Sequence, residues 1–486
     1  MTVVERRTLA PGLEISRVIT GLWQIADMER DGEAVDLEKT ADAMEPYVDA
    51  GYTTFDVADH YGSAEPVVGV FRARPGNEGR VQLFTKWVPE PGPVSRRDVR
   101  EAVDRALERM RSEALDLLQF HAWAYGDPAW LDALFHLQEL KDEGLIRHLG
   151  LTNFDAAHLA MVCNSGIDVT TNQACYSLLD RRPSRDMTRV CQEHGVHLLA
   201  YGTLAGGLLT EPWLGRSEPE ADELDTWSQM KYKRFVEAAG GWIAFQQLLQ
   251  ALRLVSLKHR VSMANVASRY VLEQPAVAGI IIGARLGERE HLEDNLRLFD
   301  FTLDDQDRAA LAPGLEALGF PPGDCGDEYR KPPYLTAAGD LSDHFDAFPS
   351  PYPVVGGPGP RLRALSGTVW EDVAGFSRAM RVGNRILVSG TTATHRDRVI
   401  GGSDPGSQLH FCVDKIEGAL RALGGRIEDV VRTRIYIRNM EQWEEVSRAH
   451  GARFGDIRPA NTLVQAGIIG DDYLVEMEVE AVTGGR

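Results

Sequence analysis

The chain has 486 residues, 43% of them hydrophobic and 26% charged, which is the composition of a globular protein too long for one ordinary domain. Its formal net charge of −20 at pH 7 argues against nucleic acid or an anionic membrane as partner, since phosphate binding needs a basic face. Met1 to Pro11 carries Glu5, Arg6 and Arg7 and no apolar core, and no apolar run is long enough to span a bilayer, so a cytoplasmic protein without a signal peptide is expected. The five cysteines, Cys163, Cys175, Cys191, Cys325 and Cys412, lack C-x-x-C spacing and read as reduced thiols, with no metal site expected.

Residues 12 to 300 alternate strand and helix patterns. Strands are expected near Val18 to Trp23, Tyr52 to Phe55, Val81 to Thr85, Leu115 to Phe120, Ile146 to Leu151, Val169 to Gln173, Val196 to Tyr201 and Val277 to Ile282, each followed by a helix. Ser63 is expected to cap the helix after the second strand. Eight such units are the count of an α/β (β/α)8 TIM barrel, covering residues 1–318. A doubly wound sheet ranks lower, because no G-x-G-x-x-G follows the first strand. Almost sixty residues separate Tyr201 from the helix near residue 260; they read as a lid or substrate wall, or as a helical hairpin burying Trp213, Trp227 and Trp242. Proline and glycine then dominate residues 319–360, a stiff linker or a tail lying on the barrel. Residues 361–486 read as a smaller α+β domain, with a sheet covered on one side by helices near 405–424 and 440–454.

Three successive strands end in Asp56, Lys86 and His121, and Tyr61 follows Asp56 by one loop. Catalytic groups of barrels sit at that rim. A tyrosine can protonate a carbonyl oxygen if a nearby ammonium brings its pKa down; Lys86 is the available cation, and Asp56 would hold it charged. Neutral His121 would donate a hydrogen bond to the substrate oxygen. Singly, each has a bland reading as a cap or a solvated charge; together at one rim they are harder to explain as packing.

These residues sit in Phe55-Asp56-x-Ala58-Asp59-x-Tyr61-Gly62, Thr85-Lys86 and Leu118-Gln119-x-His121. With Gly150-Leu151-Thr152-Asn153-Phe154, Asn172-Gln173, Tyr201-Gly202-x-Leu204 and Gly283-Ala284-Arg285, they make residues 12 to 315 resemble the aldo-keto reductase superfamily. The resemblance implies a catalytic tetrad of Asp56, Tyr61, Lys86 and His121, and NADP(H) extended across the rim. It implies that Asn153 and Gln173 bond the carboxamide, with Thr152 beside them, and that Tyr201 stacks on the nicotinamide. Gly202 and Leu204 would line the pyrophosphate. Gly283, Arg285 and Arg289 would lie at the 2′-phosphate and Asn295 at the adenine. Gly202-Thr203 stands where a Ser-Pro is common.

Residues 361 to 484 resemble the Rid (reactive intermediate deaminase, YjgF-like) family, through Val388-Ser389-Gly390-Thr391, Arg458-Pro459-Ala460-Asn461-Thr462 and Leu474-Val475-Glu476-Met477-Glu478. The resemblance implies a homotrimer. It also implies hydrolysis of imines where an arginine follows Pro-Ala; here Asn461 stands there, and Phe376 replaces a tyrosine. A neutral amide cannot form a bidentate fork on a carboxylate. The sequence therefore reads as an NADP(H)-dependent reductase of a small carbonyl compound, fused to a trimerising or ligand-binding module. The alternatives are an NADP(H)-binding sensor without turnover, or an imine reductase coupled to the second domain.

Overall fold

The computed structural model describes residues 3–30, 32–288, 291–336 and 349–484. A short hairpin, β1 (Arg6–Ala10) and β2 (Leu13–Ser16), precedes eight parallel strands: β3 (Val18–Gly21), β4 (Thr54–Asp56), β5 (Gln82–Trp87), β6 (Leu117–Phe120), β7 (Leu149–Thr152), β8 (Val169–Cys175), β9 (His197–Tyr201) and β10 (Val277–Gly283). β10 pairs with both β9 and β3, closing the barrel. Leu9, Leu13 and Ile15 of the hairpin pack with Ile19, Phe84, Leu117 and Leu199, so the hairpin plugs the barrel interior. The barrel strands are buried on both faces, as a parallel sheet covered by helices requires.

Several local expectations change. Ser63 precedes the helix Ala64–Arg72 but makes no cap bond; its hydroxyl donates to Asp27 Oδ1 at 2.8 Å. Asp27 reaches that far because residue 62 is glycine: a Cβ there would lie 2.3 Å from Asp27 Cγ. The long connection after β9 folds as the helices Trp227–Ala239 and Gly241–His259, with Trp213, Phe235, Trp242 and Phe245 in a core of their own. The Pro/Gly-rich stretch after the barrel carries the one-turn helix Asp327–Arg330, whose Asp327, Glu328 and Arg330 are all buried. Pro/Gly composition hides such a turn, because its stability comes from tertiary contacts.

The second domain is built on one seven-stranded sheet. Its strands are β11 (Val354–Gly356), β12 (Arg361–Ala364), β13 (Ala379–Val382), β14 (Arg385–Thr392), β17 (Val430–Ile437), β18 (Ala460–Gln465) and β19 (Val475–Val482); β15 (Thr394–His395) and β16 (Arg398–Val399) form a separate hairpin. The helices Pro405–Ala422 and Trp443–Phe454 cover one face. Pro405–Ala422 also packs on the barrel helix Ala156–Asn164, so one apolar core runs through both domains. Gly418 on the same helix lets the barrel loop after β6 come close, since a Cβ on it would lie 2.2 Å from the Gly126 carbonyl oxygen. His158 lies at this junction: Nδ1 donates to Asp155 at 2.7 Å and Nε2 to Asp414 Oδ2 at 3.0 Å, while Arg453 donates to Asp414 Oδ1 at 2.6 Å.

Candidate active site

The ends of β4 and β5 bring Asp56 and Lys86 into contact, and the loop after β4 sets Tyr61 beside them; His121 follows the neighbouring strand β6, its ring 5.7 Å from that of Tyr329. Lys86 Nζ donates to Asp56 Oδ2 at 2.5 Å and to the Val57 carbonyl at 2.8 Å, and it lies 5.1 Å from the centre of the Tyr61 ring. Asp56 Oδ1 accepts from the amides of Gln119 at 3.1 Å and Gln173 at 2.8 Å. Burial works against the Lys86 charge, but Asp56 and Tyr61 together outweigh it and the lysine pKa is raised.

Tyr61 departs from the expected depressed pKa. Burial raises it most, Lys86 lowers it, Asp56 and Tyr329 raise it again, and the balance is upward. The phenol is therefore protonated at neutral pH, the form a proton donor needs. His121 also differs in detail. Burial and Arg330 push its pKa well below the usual value, so the ring is neutral. Nδ1 lies 3.3 Å from the Thr152 carbonyl oxygen, which can only accept. In this arrangement the ring hydrogen is on Nδ1, and buried, unpartnered Nε2 is an acceptor. A donating Nε2–H requires the other tautomer and the loss of the Thr152 bond.

The residues expected at the carboxamide lie alongside. Tyr201 donates to Asn153 Oδ1 at 2.7 Å, and Thr152 Oγ1 donates to the Gln173 carbonyl at 3.3 Å. The Gln173 amide nitrogen is engaged by Asp56 and Gln119, leaving its Oε1 for a ligand. Gly202 and Leu204 sit on the loop after β9, where the buried Thr203 hydroxyl has no hydrogen-bond partner. Gly283 ends β10, Arg285 is exposed just beyond it, and half-buried Asn295 lies on the short helix Leu292–Leu296. Arg289 lies outside the described residues.

Other rim residues were not singled out from sequence. Trp23, after β3, meets the Tyr61 ring edge-on at 5.0 Å between centroids and donates to Glu29 at 2.6 Å. Trp123 meets His121 edge-on at 4.5 Å. From the one-turn helix, Arg330 donates to the carbonyls of Ala122 at 2.9 Å and Asn153 at 2.6 Å, Glu328 accepts from Arg182 at 2.8 Å, and Tyr329 lies 5.7 Å from the His121 ring. A tryptophan directly after a barrel strand was a usable signal; the helix residues carried none.

A closed parallel barrel carrying an acid, an ammonium, a phenol and an imidazole at the C-terminal ends of adjacent strands and the loop beside them, together with its family likeness, makes this an oxidoreductase barrel. The chain belongs to the aldo/keto reductase family, whose model matches residues 17–313. A second family model, described as Endoribonuclease L-PSP, matches residues 369–483. Aldo-keto reductase YhdN of Bacillus subtilis is 26% identical over 342 residues, 66% of this chain and 96% of that protein. An uncharacterized protein of Streptomyces coelicolor is 39% identical over 123 residues, 25% of this chain and 92% of its own length. An aldo-keto reductase of Bacillus halodurans, solved in its holo form, superposes with a TM-score of 0.50 at 23% identity, covering 65% of this chain and 98% of that one. That last likeness concerns the fold alone. Among the described residues, no helix is long and apolar enough to cross a membrane and no acidic, histidine or cysteine cluster could hold a metal ion.

Proposed function

We propose that the protein is an NADP(H)-dependent reductase of aldehydes or ketones, with Tyr61 as general acid. The observation that carries this reading is the buried Asp56–Lys86 pair beneath a protonated Tyr61 phenol. Asn153, the free Gln173 Oε1 and Tyr201 would hold the nicotinamide end, Gly202, Thr203 and Leu204 the pyrophosphate, and Gly283, Arg285 and Asn295 the adenosine end. The unpartnered Thr203 hydroxyl fits a phosphate oxygen, and it stands one place along from the serine that is common there. When bound, the cofactor supplies the hydride. Tyr61 gives its proton to the carbonyl oxygen, and Lys86 stabilises the phenolate that this creates. Asp56 keeps Lys86 charged, and His121 and Trp123 confine the oxygen. Tyr61→Phe is expected to lower kcat about 10²-fold or more, with NADPH affinity, read by fluorescence quenching, nearly unchanged. Near wild-type turnover would end the assignment.

The second domain, in this reading, assembles the chain into a trimer or binds a neutral ligand. The face of its sheet away from the helices exposes Leu387 and Val464, each 41% exposed, among Arg434, Glu478 and Glu480. Asn461 donates to Thr433 Oγ1 at 2.9 Å, a neutral amide on a neutral hydroxyl, which disfavours binding of a carboxylated imine there.

A further inference from the structure

The helix Trp227–Ala239 carries a lysine that the proposed reaction does not use. Lys231 Nζ lies 4.6 Å from the ring centre of Tyr329, 5.1 Å from Tyr201, 5.5 Å from Tyr232 and 5.8 Å from Phe235. It donates to the Tyr329 hydroxyl at 2.7 Å. Among the described residues no carboxylate pairs with it: Glu328 and Asp180 are both taken by Arg182, at 2.8 and 2.7 Å. Burial works against the Lys231 charge, but Tyr329 and Glu328 raise its pKa and it stays an ammonium. Aromatic faces stabilise a cation without accepting all its hydrogens, and an ammonium has three donors.

Tyr329 fixes where this cation stands. Its ring lies 5.7 Å from His121 and 6.2 Å from Trp123, so Lys231 and His121 flank one tyrosine at the rim. Among the described residues, three nearby cations already have acceptors: Lys86 in Asp56, Arg182 in Asp180 and Glu328, and Arg330 in the Ala122 and Asn153 carbonyls. Among the described residues, a charge-assisted acceptor is what this ammonium lacks.

We propose that Lys231 anchors an oxyanion, a carboxylate or phosphate, carried by the carbonyl substrate a few bonds from the reacting carbon. This rests on the reductase reading and names its substrate class: anionic aldehydes or ketones. Tyr329 serves as the wall that sets the distance between anion and carbonyl.

The test compares 4-carboxybenzaldehyde with its neutral methyl ester at saturating NADPH. Wild type is expected to favour the acid in kcat/KM. Lys231→Met should cut the acid-to-ester ratio on the order of tenfold to a hundredfold, the size of a lost charge-assisted hydrogen bond, and Lys231→Arg should keep it. In parallel, the NADP+-loaded protein is titrated calorimetrically with 4-(hydroxymethyl)benzoate and its methyl ester. Tighter binding of the acid, lost in Lys231→Met, supports the proposal even if neither aldehyde turns over; that outcome would sink the reductase reading alone. Turnover of both aldehydes with no preference for the acid, or with a preference that survives Lys231→Met, overturns the proposal and leaves the reductase reading standing. Weaker NADPH binding in Lys231→Met with an unchanged acid preference assigns the ammonium to the cofactor and also overturns it. Absence of any acid preference in wild type overturns it without recourse to a variant.

Discussion

Replacing Asp56 by asparagine removes one charge and almost no volume, so its effect isolates the electrostatics of the site. The carboxylate accepts from three donors, Lys86 on one oxygen and the amides of Gln119 and Gln173 on the other. An asparagine offers one acceptor oxygen and one amine. With its oxygen toward the glutamines, its hydrogens face the Lys86 ammonium; reversed, they face the two amides. Either way a buried donor opposes a donor. The Lys86 and Asp56 side chains are only 7% and 5% exposed, so water cannot repair the contact. Breaking a buried pair from one side costs about 3–5 kcal/mol. Lys86 keeps its bond to the Val57 carbonyl, which places the expected loss near the lower end, about 3 kcal/mol. Without Asp56, burial pulls the Lys86 pKa down and the phenolate loses its counter-charge, so kcat should fall about 10²-fold or more. Urea unfolding followed by tryptophan fluorescence reads the first effect, and NADPH oxidation with an aromatic aldehyde the second. An Asp56→Asn protein within about 0.5 kcal/mol of wild type and equally active would refute the argument.

Arg285→Ala should weaken NADPH binding about tenfold while leaving NADH unchanged, because a 2′-phosphate loses a charge-assisted partner; equal affinity for both cofactors in wild type would contradict this. At the domain junction, burial opposes a charge on His158, but Asp155 and Asp414 outweigh it and its pKa is raised. A raised folded value stabilises fully below the unfolded pKa, about 6.5, and the gain is lost as pH rises through the folded value. The difference in melting temperature between wild type and His158→Gln should therefore be widest in mild acid and shrink with rising pH; a difference that does not vary with pH would discredit the charged pair. In sedimentation the full chain should run as a trimer or a multiple of it, and Leu387→Lys with Val464→Lys should shift it toward monomer. Wild type sedimenting as a monomer at micromolar concentration would rule out the trimer.

What the sequence made legible follows from how local each signal is. Asp56, Lys86 and His121 could be aligned because each ends a strand whose apolar run is bounded by turns, and the barrel sets one rim for all such ends. The side-chain directions were not local. Gln173 turns its amide nitrogen to Asp56, 117 positions away, and His121 turns Nδ1 to Thr152. Tyr61's pKa depends on the sum of burial and three neighbours, so naming Lys86 alone gave the wrong sign. Tyr329 and Arg330 were hidden for a different reason: proline and glycine on either side read as linker, and a single helical turn has no period to detect.

That turn explains why the second domain and the reductase rim are physically continuous. Arg330 lies 4.4 Å over the Tyr125 ring, and Tyr125 stacks on His158 with centroids 3.4 Å apart. His158 in turn donates to Asp414, which lies on the central helix of the second domain. Arg330 also donates to the carbonyls of Ala122 and Asn153, the residues that follow His121 and Thr152. Without the second domain, His158 would keep Asp155 but lose Asp414, and the helix Ala156–Asn164 would lose one of the helices packed on it. The groups shaping the Asn153 side of the rim are therefore packed, link by link, against residues more than 250 positions away. A detached reductase domain would have to hold Tyr125 and Arg330 in place without that backing, so the contact between the domains bears on the shape of the rim.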